Sequence, residues 1–564
     1  MSQSLELGFL ASTAAITMPS AVLTSIDDDI GPNAAYAWMT TSQVVAVAIF
    51  SPLAGRLSDI FGRRNFILFG GLLGMIGSII SATAHRVEVV IGGGIFLGTA
   101  SAFQQLVWAG IGEIIPRKYR GMVTALIEAC VFPAGAFGPI IANSIVATTT
   151  WRWIYWIIFI IATVSVALVF LFYRPRNQYI REEGKTTLEE VWDLDWIGFP
   201  LYAGGLLLFL LGITFGGNQL AWKSAGTICM IIIGAVLLVA FGLFEAYYDQ
   251  IFPLFPPAIM RKVRGFAVVL VGTFLFGTLY YSTAVLWPVQ IEALYTQNLI
   301  DVGWYASTLG IAGMIFGPII GFVFTYFGHA RILYTFAVGL ATIAAGCMAI
   351  VTPDSRIASS VLVGIMGVSI SWGMAIAGAM CQLAVSHEYL GLAANLAVTM
   401  RNIGGAVGTV IYMSIFSNRF KSNMMIDVAM PLLKSGVPPA SITSVIAALT
   451  KKTPESILTT LKPEQFVIGV NGIKDAYVHA LRVVYLVSIA FGVLATICAA
   501  FTMDVDHLLT NEIDIILDEG AMVTQGLTDT GEGHVIYREE QEAHHHRTPH
   551  KDSAQDKGVQ VRHY

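Results

Sequence analysis

About fourteen stretches of some 20 mostly apolar residues run through the chain, and they constrain its fold more than any other feature. A helix rises about 1.5 Å per residue, so roughly 20 residues cross the ~30 Å hydrocarbon layer of a bilayer. The stretches fall near 5–26, 36–56, 65–84, 88–110, 121–145, 153–173, 196–216, 225–245, 265–288, 303–325, 331–351, 359–382, 391–416 and 481–502. Every backbone polar group inside a membrane must be satisfied internally, and segments this long do so as helices. The expected fold class is an all-α membrane protein with 14 transmembrane helices. Composition agrees, with 55% of the 564 residues hydrophobic and 12% charged, where a soluble domain is about a quarter charged. Net charge is −5, and no basic cluster is interleaved with aromatics outside the loops, so no nucleic-acid partner is expected.

Orientation follows from Lys and Arg in the short loops, which mark the cytosolic side. Arg56, Arg63 and Arg64 follow the second span, and Arg117, Lys118 and Arg120 the fourth. Arg174, Arg176, Arg181 and Lys185 follow the sixth, Arg261, Lys262 and Arg264 the eighth, and Arg331 the tenth. The alternate loops hold little beyond Arg86, Arg152, Lys223 and Arg356, and one of them holds Asp27, Asp28 and Asp29. Even-numbered spans therefore end in the cytosol, and both termini are expected there. The first span starts almost at Met1 without the basic leader and cleavage pattern of a signal peptide, so it is read as helix 1. Only four residues precede it, and a truncated start is an open reading. Residues 417–480 are expected as a long extracellular loop, exempt from the charge count because long loops cross largely regardless of charge. Residues 503–564 are expected as a disordered cytosolic tail; its run of Glu539, Glu540, His544, His545 and His546 reads as solvated and not as a metal site. The five cysteines lie in apolar runs without CxxC spacing, as buried small hydrophobes. No metal or cofactor is expected.

The two ends of the chain echo each other. Gly55-Arg-Leu-Ser-Asp-Ile-Phe-Gly62 is matched by Gly321-Phe-Val-Phe-Thr-Tyr-Phe-Gly328 at an offset of 266, with Trp38 and Trp304 seventeen residues upstream of the first glycines. Gly121, Gly135 and Gly138 are matched by Gly391, Gly405 and Gly408 at an offset of 270. Spans 2 and 3 thus pair with 10 and 11, and span 5 with 13, a shift of eight helices. The simplest arrangement is a six-helix bundle in 1–173, a linker with two inserted helices in 174–252, and a second six-helix bundle in 253–502. Parallel repeats with a site at their interface are how alternating-access carriers are built.

Several polar groups sit where topology does not require them. In Gly55-Arg56-Leu57-Ser58-Asp59-Ile60-Phe61-Gly62-Arg63-Arg64, glycine permits close helix approach and a tight turn. Asp59, at a helix end, can hold a neighbouring arginine or helix dipole in one conformation and lose it in another. The segment resembles the signature between helices 2 and 3 of the major facilitator superfamily, and that resemblance implies a cytosolic gate built from Gly55, Arg56, Asp59, Gly62, Arg63 and Arg64. Gly135-Ala-Phe-Gly138-Pro139 is similar to the Gly-Pro motif in helix 5 of antiporter members. Charged and amide groups inside spans normally face the bundle interior, as Glu128, Arg401, Gln104 and Gln105 are expected to do. Glu128 reads either as a proton carrier or as the structural partner of an arginine, Arg401 among them. Trp108, Tyr280, Tyr281 and Trp372, with the two glutamines, are candidate lining of a substrate cavity. The helix-4 stretch Gly92–Gly98 lacks the arginine usual in drug antiporters.

Ile26-Asp27-Asp28-Asp29-Ile30-Gly31-Pro32, Trp151-Arg152-Trp153-Ile154-Tyr155 and Asp504-Val505-Asp506-His507-Leu508-Leu509-Thr510-Asn511-Glu512 extend the likeness over nearly the whole chain. They resemble the fungal trichothecene efflux pump family, whose relatives include fungal siderophore carriers. That resemblance implies a monomeric, proton-coupled exporter of a secondary metabolite or toxin, in the plasma membrane or alternatively the vacuolar one. Its partners would be a small-molecule substrate, protons and the lipid bilayer. Siderophore-iron uptake is the competing function. The chain carries no Gly-x-Ser-x-Gly, P-loop, His-Glu-x-x-His or dinucleotide fingerprint, so no enzyme activity is expected.

Overall fold

A computed structural model describes residues 2–31, 33, 36, 38–108, 117–173, 189, 192, 194–216, 220–248, 250, 253–350, 352–385, 389–439, 441, 442, 445, 446 and 462–509. The described residues are nearly all helical and form no strand. The first bundle comprises α1 (Ser2–Ala21), α2 (Leu23–Ile30), α3 (Trp38–Phe61), α4 (Arg63–Ala82), α5 (Val87–Gln104), α6 (Arg120–Thr148) and α7 (Arg152–Phe172). Then come the inserted α8 (Gly198–Phe215) and α9 (Ala225–Tyr247). The second bundle holds α10 (Val268–Leu294), α11 (Leu299–Ala306), α12 (Thr308–Phe327), α13 (Ala330–Cys347), α14 (Arg356–Leu383), α15 (Leu390–Asn423), α16 (Met430–Lys434) and α17 (Pro463–Phe501).

Eleven helical segments among the described residues are long and apolar enough to cross a membrane, or twelve with α1 and α2 counted as one span. These two meet at a 68° bend beside Pro19, whose missing N–H removes a helix bond. The two further stretches expected from sequence, 121–145 and 391–416, coincide with α6 and α15, which are 29 and 34 residues long. The outer surface carries large apolar side chains, such as Ile232 at 56% and Val239 at 62% exposure on α9, a surface suited to lipid and costly in water.

The repeat is visible in the packing. α3 lies against α15 and α12 against α6. Because spans 2 and 5 pair with spans 10 and 13, these two contacts are the same contact turned about a pseudo-twofold axis. Gly62 (φ 88°) and Gly328 (φ 67°) both end their helices in the left-handed region, which a side chain would disfavour. The matched tryptophans diverge, since Trp38 is buried while Trp304 is exposed.

The inserted pair packs closely on itself, and Tyr202 of α8 donates from its hydroxyl to Ala48 O of α3 at 2.8 Å. The expected loop 417–480 differs from its sequence reading. α15 runs on to Asn423, a π-helical turn spans Met424–Ala429, and α17 begins at Pro463, 18 residues before the stretch expected at 481. At 39 residues α17 is about 58 Å long, nearly twice the hydrocarbon thickness. Its outer part buries Ala476 against Val428, Leu432 and Ile442, a small core that hydropathy averaged over polar neighbours does not reveal. The Glu539–His546 run lies outside the described residues.

Candidate transport cavity

Between the two bundles lies a cavity of about 600 Å³, lined by both halves. On the first-half side α1 contributes Ser12, Thr13, Thr17 and Ser20, and α3 contributes Thr40 and Thr41. The Thr13 and Thr17 hydroxyls donate to Phe9 O (3.1 Å) and Thr13 O (3.0 Å) of their own helix, which leaves their lone pairs available as acceptors. The facing wall is more apolar, with Tyr280, Tyr281, Trp287, Met374 and Met413. Glu292, Arg401 and Lys421 are the charged residues among the described lining. Leu23, Thr24, Glu292 and Lys421 stand at the helix ends opposite the basic loops, so the cavity reaches toward that side.

The aromatic shelf is fixed by α15. The Tyr281 hydroxyl donates to Asn402 Oδ1 at 2.6 Å, and the Tyr280 and Tyr281 rings lie 4.8 Å apart. A Cβ on Gly405 would run into the Tyr281 ring, so only glycine lets the ring seat there. Trp287 Nε1 donates to Tyr305 O at 2.7 Å. Arg401 is part-buried, with Nη1 3.4 Å from Met374 Sδ. The Glu128 side chain lies outside the described residues.

Not every expected lining residue reaches the cavity. Gln105 does, and Ser51 Oγ donates to its Oε1 at 3.4 Å. Gln104, one residue away and therefore about 100° round the helix, turns aside and donates from Nε2 to Ile67 O at 3.0 Å. Trp108 is buried edge-on against Phe9, ring centroids 5.8 Å apart, and is not among the cavity's lining. Trp372 also points elsewhere, donating from Nε1 to Phe316 O at 2.9 Å beside the exposed Phe336. Gly135 and Pro139 line the cavity, whereas Gly138 meets Thr17 of α1. Sequence reading passed over the hydroxyl row of α1, although its Thr13/Thr17 spacing of four, one helix face, was legible.

At the basic end the halves meet. A Cβ on Gly55 would lie 3.1 Å from Asn395 Nδ2 and 3.3 Å from Leu392 Cα, so α3 and α15 are in near-backbone contact there. Arg56 is buried, its guanidinium 5.6 Å from the centre of the Tyr389 ring. Arg120 of the first half donates to Gln382 O at 3.5 Å and Lys262 to Ala384 O at 2.9 Å, placing two cations on the carbonyls at the α14 C-terminus, where the helix dipole favours positive charge. Arg64 donates to Phe170 O at 2.8 Å, and Arg63 is buried at the start of α4. Asp59 occupies the last turn of α3, with its side chain outside the described residues.

A cavity shared by two related bundles and shut at one end is carrier architecture. The family described as the fungal trichothecene efflux pump (TRI12) matches residues 4–533. The chain belongs to this family. Among its relatives is the trichothecene efflux pump TRI12 of Trichoderma arundinaceum, 29% identical over 529 residues, covering 90% of this chain and 87% of that protein. The pump of the same name from Fusarium sporotrichioides is 26% identical, covering 90% and 86%. The MFS-type transporter prx5 of Penicillium rubens is 26% identical, covering 92% and 93%. In fold the chain is similar to the MFS proton:xylose symporter XylE (TM-score 0.51, 14% identity, 88% of this chain and 94% of that one). It is likewise similar to the human organic anion transporter MFSD10 (TM-score 0.51, 13% identity, 87% and 98%). The trichothecene-pump family and the major facilitator fold make this chain a multi-pass membrane transporter.

Proposed function

We propose that the chain is a proton-coupled exporter of a small, amphipathic secondary metabolite, and that it has no enzymatic activity. The observation that carries this reading is the two-sided cavity, hydroxyl-rich on one wall and aromatic on the other, of a volume that suits a drug-sized molecule. An oxygenated apolar solute would donate its hydroxyls to the oxygens along α1 while its hydrocarbon face lies on Tyr280 and Tyr281. The trichothecene pumps of the family support this class of cargo. The working unit is a monomer of fourteen spans in the plasma membrane, since one chain already supplies both halves of the cavity. Asp59 completes the cytosolic gate, and Glu128 carries the proton.

The test is transport of a radiolabelled trichothecene into inside-out vesicles with an acidic interior. Accumulation that collapses when the pH gradient is dissipated is expected. Uptake of a ferric siderophore by right-side-out vesicles, without trichothecene transport, would overturn the proposal in favour of iron acquisition. Glu128→Gln is expected to abolish gradient-driven accumulation while sparing cargo exchange, which needs no net proton movement. Loss of both would assign Glu128 a structural role, and retention of both would place coupling elsewhere.

A further inference from the structure

The repeat exposes a substitution in the second half. At the offset of 266, Asp59 of the first gate loop corresponds to Thr325, Arg63 to His329 and Arg64 to Ala330. The second loop therefore lacks the carboxylate, and its arginine is shifted to Arg331, yet it keeps the same backbone turn at Gly328. A carboxylate reaches it from another part of the chain. After α17 ends at Phe501, residues 502–509 fold back under the second bundle. Met503 N–H donates to Arg264 O at 2.9 Å, Val505 is buried, and Leu508 and Leu509 pack on the core. This places Asp506 at the loop, where the His329 N–H donates to Asp506 Oδ1 at 2.7 Å.

Two features show that the loop is shaped to receive that carboxylate. His329 is the one non-glycine residue among those described with positive φ (59°), a conformation that side chains rarely adopt. It turns the His329 N–H onto Asp506. Gly328 leaves the space, since a Cβ there would stand 2.9 Å from Asp506 Oδ1 and 3.0 Å from its carboxyl carbon. The His329 ring is held by the loop itself, through Nδ1 and Phe327 O at 2.7 Å.

We infer that the strap 502–509 is a working part of the second cytosolic gate, with Asp506 supplying in trans along the chain the carboxylate that the second gate loop lacks. Asp506 is thus a positioning residue. It fixes the end of α12, which packs on α14, the helix whose C-terminus receives Arg120 from the first half when the cytosolic side is closed. Releasing Asp506 loosens that seat and raises the population open to the cytosol. The contact belongs to the gate whichever solute is carried, so failed cargo transport would leave it standing.

The test is hydrogen–deuterium exchange on the full chain in nanodiscs, comparing wild type with Asp506→Ala, Asp506→Asn and Asp504→Asn. Asp506→Ala is expected to speed exchange about tenfold or more in 326–331 and 502–509, the worth of one charge-assisted hydrogen bond. A smaller rise is expected at the Arg120 seat, 117–125. Asp506→Asn keeps an acceptor oxygen and should fall between. Asp504 lies beside Asp506 and opposes it with like charge, so Asp504→Asn is expected to slow exchange in the strap. Unchanged exchange at 326–331 in Asp506→Ala would overturn the inference. So would a rise confined to the strap and loop with none at 117–125, or a uniform rise that includes 152–160 on the opposite face.

Discussion

Replacing Gly55 by leucine should force the cytosolic side open. The first carbon added at Gly55 already lies 3.1–3.3 Å from Asn395 and from the Leu392 backbone, closer than ordinary contact, and three more carbons must follow it. Overpacking of this kind costs about 1–3 kcal/mol, and on the alternating-access reading only the closed state incurs it, because opening that side parts α3 from α15. A differential of that size is a factor of about 5–150 in the equilibrium. An alternating carrier whose cytosol-open state is a minor one of about 1% would move to roughly 5–60%. Spin labels at Asn65 and Arg331, both exposed at the basic ends of the two halves, report the separation in a background with native cysteines replaced. A second, longer distance should grow in Gly55→Leu and barely in Gly55→Ala. Gly135→Leu should leave the distribution unchanged, since a Cβ there meets nothing within 4 Å. An unaltered distribution in a folded Gly55→Leu protein would refute the reasoning.

Tyr281→Phe removes the hydroxyl bonded to Asn402; at about 0.5–1.5 kcal/mol for such a bond it should raise the KM for cargo roughly 2–13-fold with kcat little changed, measured in vesicles. Fourteen spans with both ends cytosolic require that an impermeant thiol reagent added to intact cells label cysteines placed in 430–470 but not in 520–560, and the reverse pattern would exclude that topology. Burial, then the charge of Asp506, raise the Asp504 pKa above its usual value, with His329 partly offsetting this. An acid with a raised pKa in the docked state favours docking while protonated. While Asp506 is ionised, strap protection should therefore decline as pH rises through the raised Asp504 value, a slope that Asp504→Asn abolishes, read by exchange corrected for intrinsic chemistry.

Span positions were legible because hydrocarbon thickness fixes a length, and among the described residues each of the fourteen stretches falls on helix. The repeat was legible too, because Gly62 and Gly328 are constrained by backbone geometry that no side chain can replace. Direction around each helix was not. In a soluble protein the apolar face points inward, but in lipid both faces are apolar and the aromatic on one looks like the aromatic on the other. Gln104 and Gln105 are alike in sequence, yet one bonds Ile67 and the other lines the cavity. Trp108 and Trp372 were equally plausible as lining, and each is committed to a neighbouring helix. The outer part of α17 was hidden for a different reason, since Lys474, Asp475 and His479 mask an amphipathic helix whose partner, 424–432, is itself short.

Departures from a repeat carry as much information as its matches. A glycine kept at 328 while the acid at 325 and the arginines at 329 and 330 are replaced says that the turn is still needed but its carboxylate is obtained differently. The His329 N–H opens a helix and has no carbonyl of its own helix to bond, so it calls for an acceptor from elsewhere in the chain. The sequence held that carboxylate within the Asp504–Glu512 stretch, conspicuous as a motif but without a partner, because the pairing of 329 with 506 spans 177 residues and follows no periodicity. On the proposed reading, with Asp59 the acid of the first gate and Asp506 that of the second, the two gates are open to separate control, since only the second can be released by moving the segment after the last span.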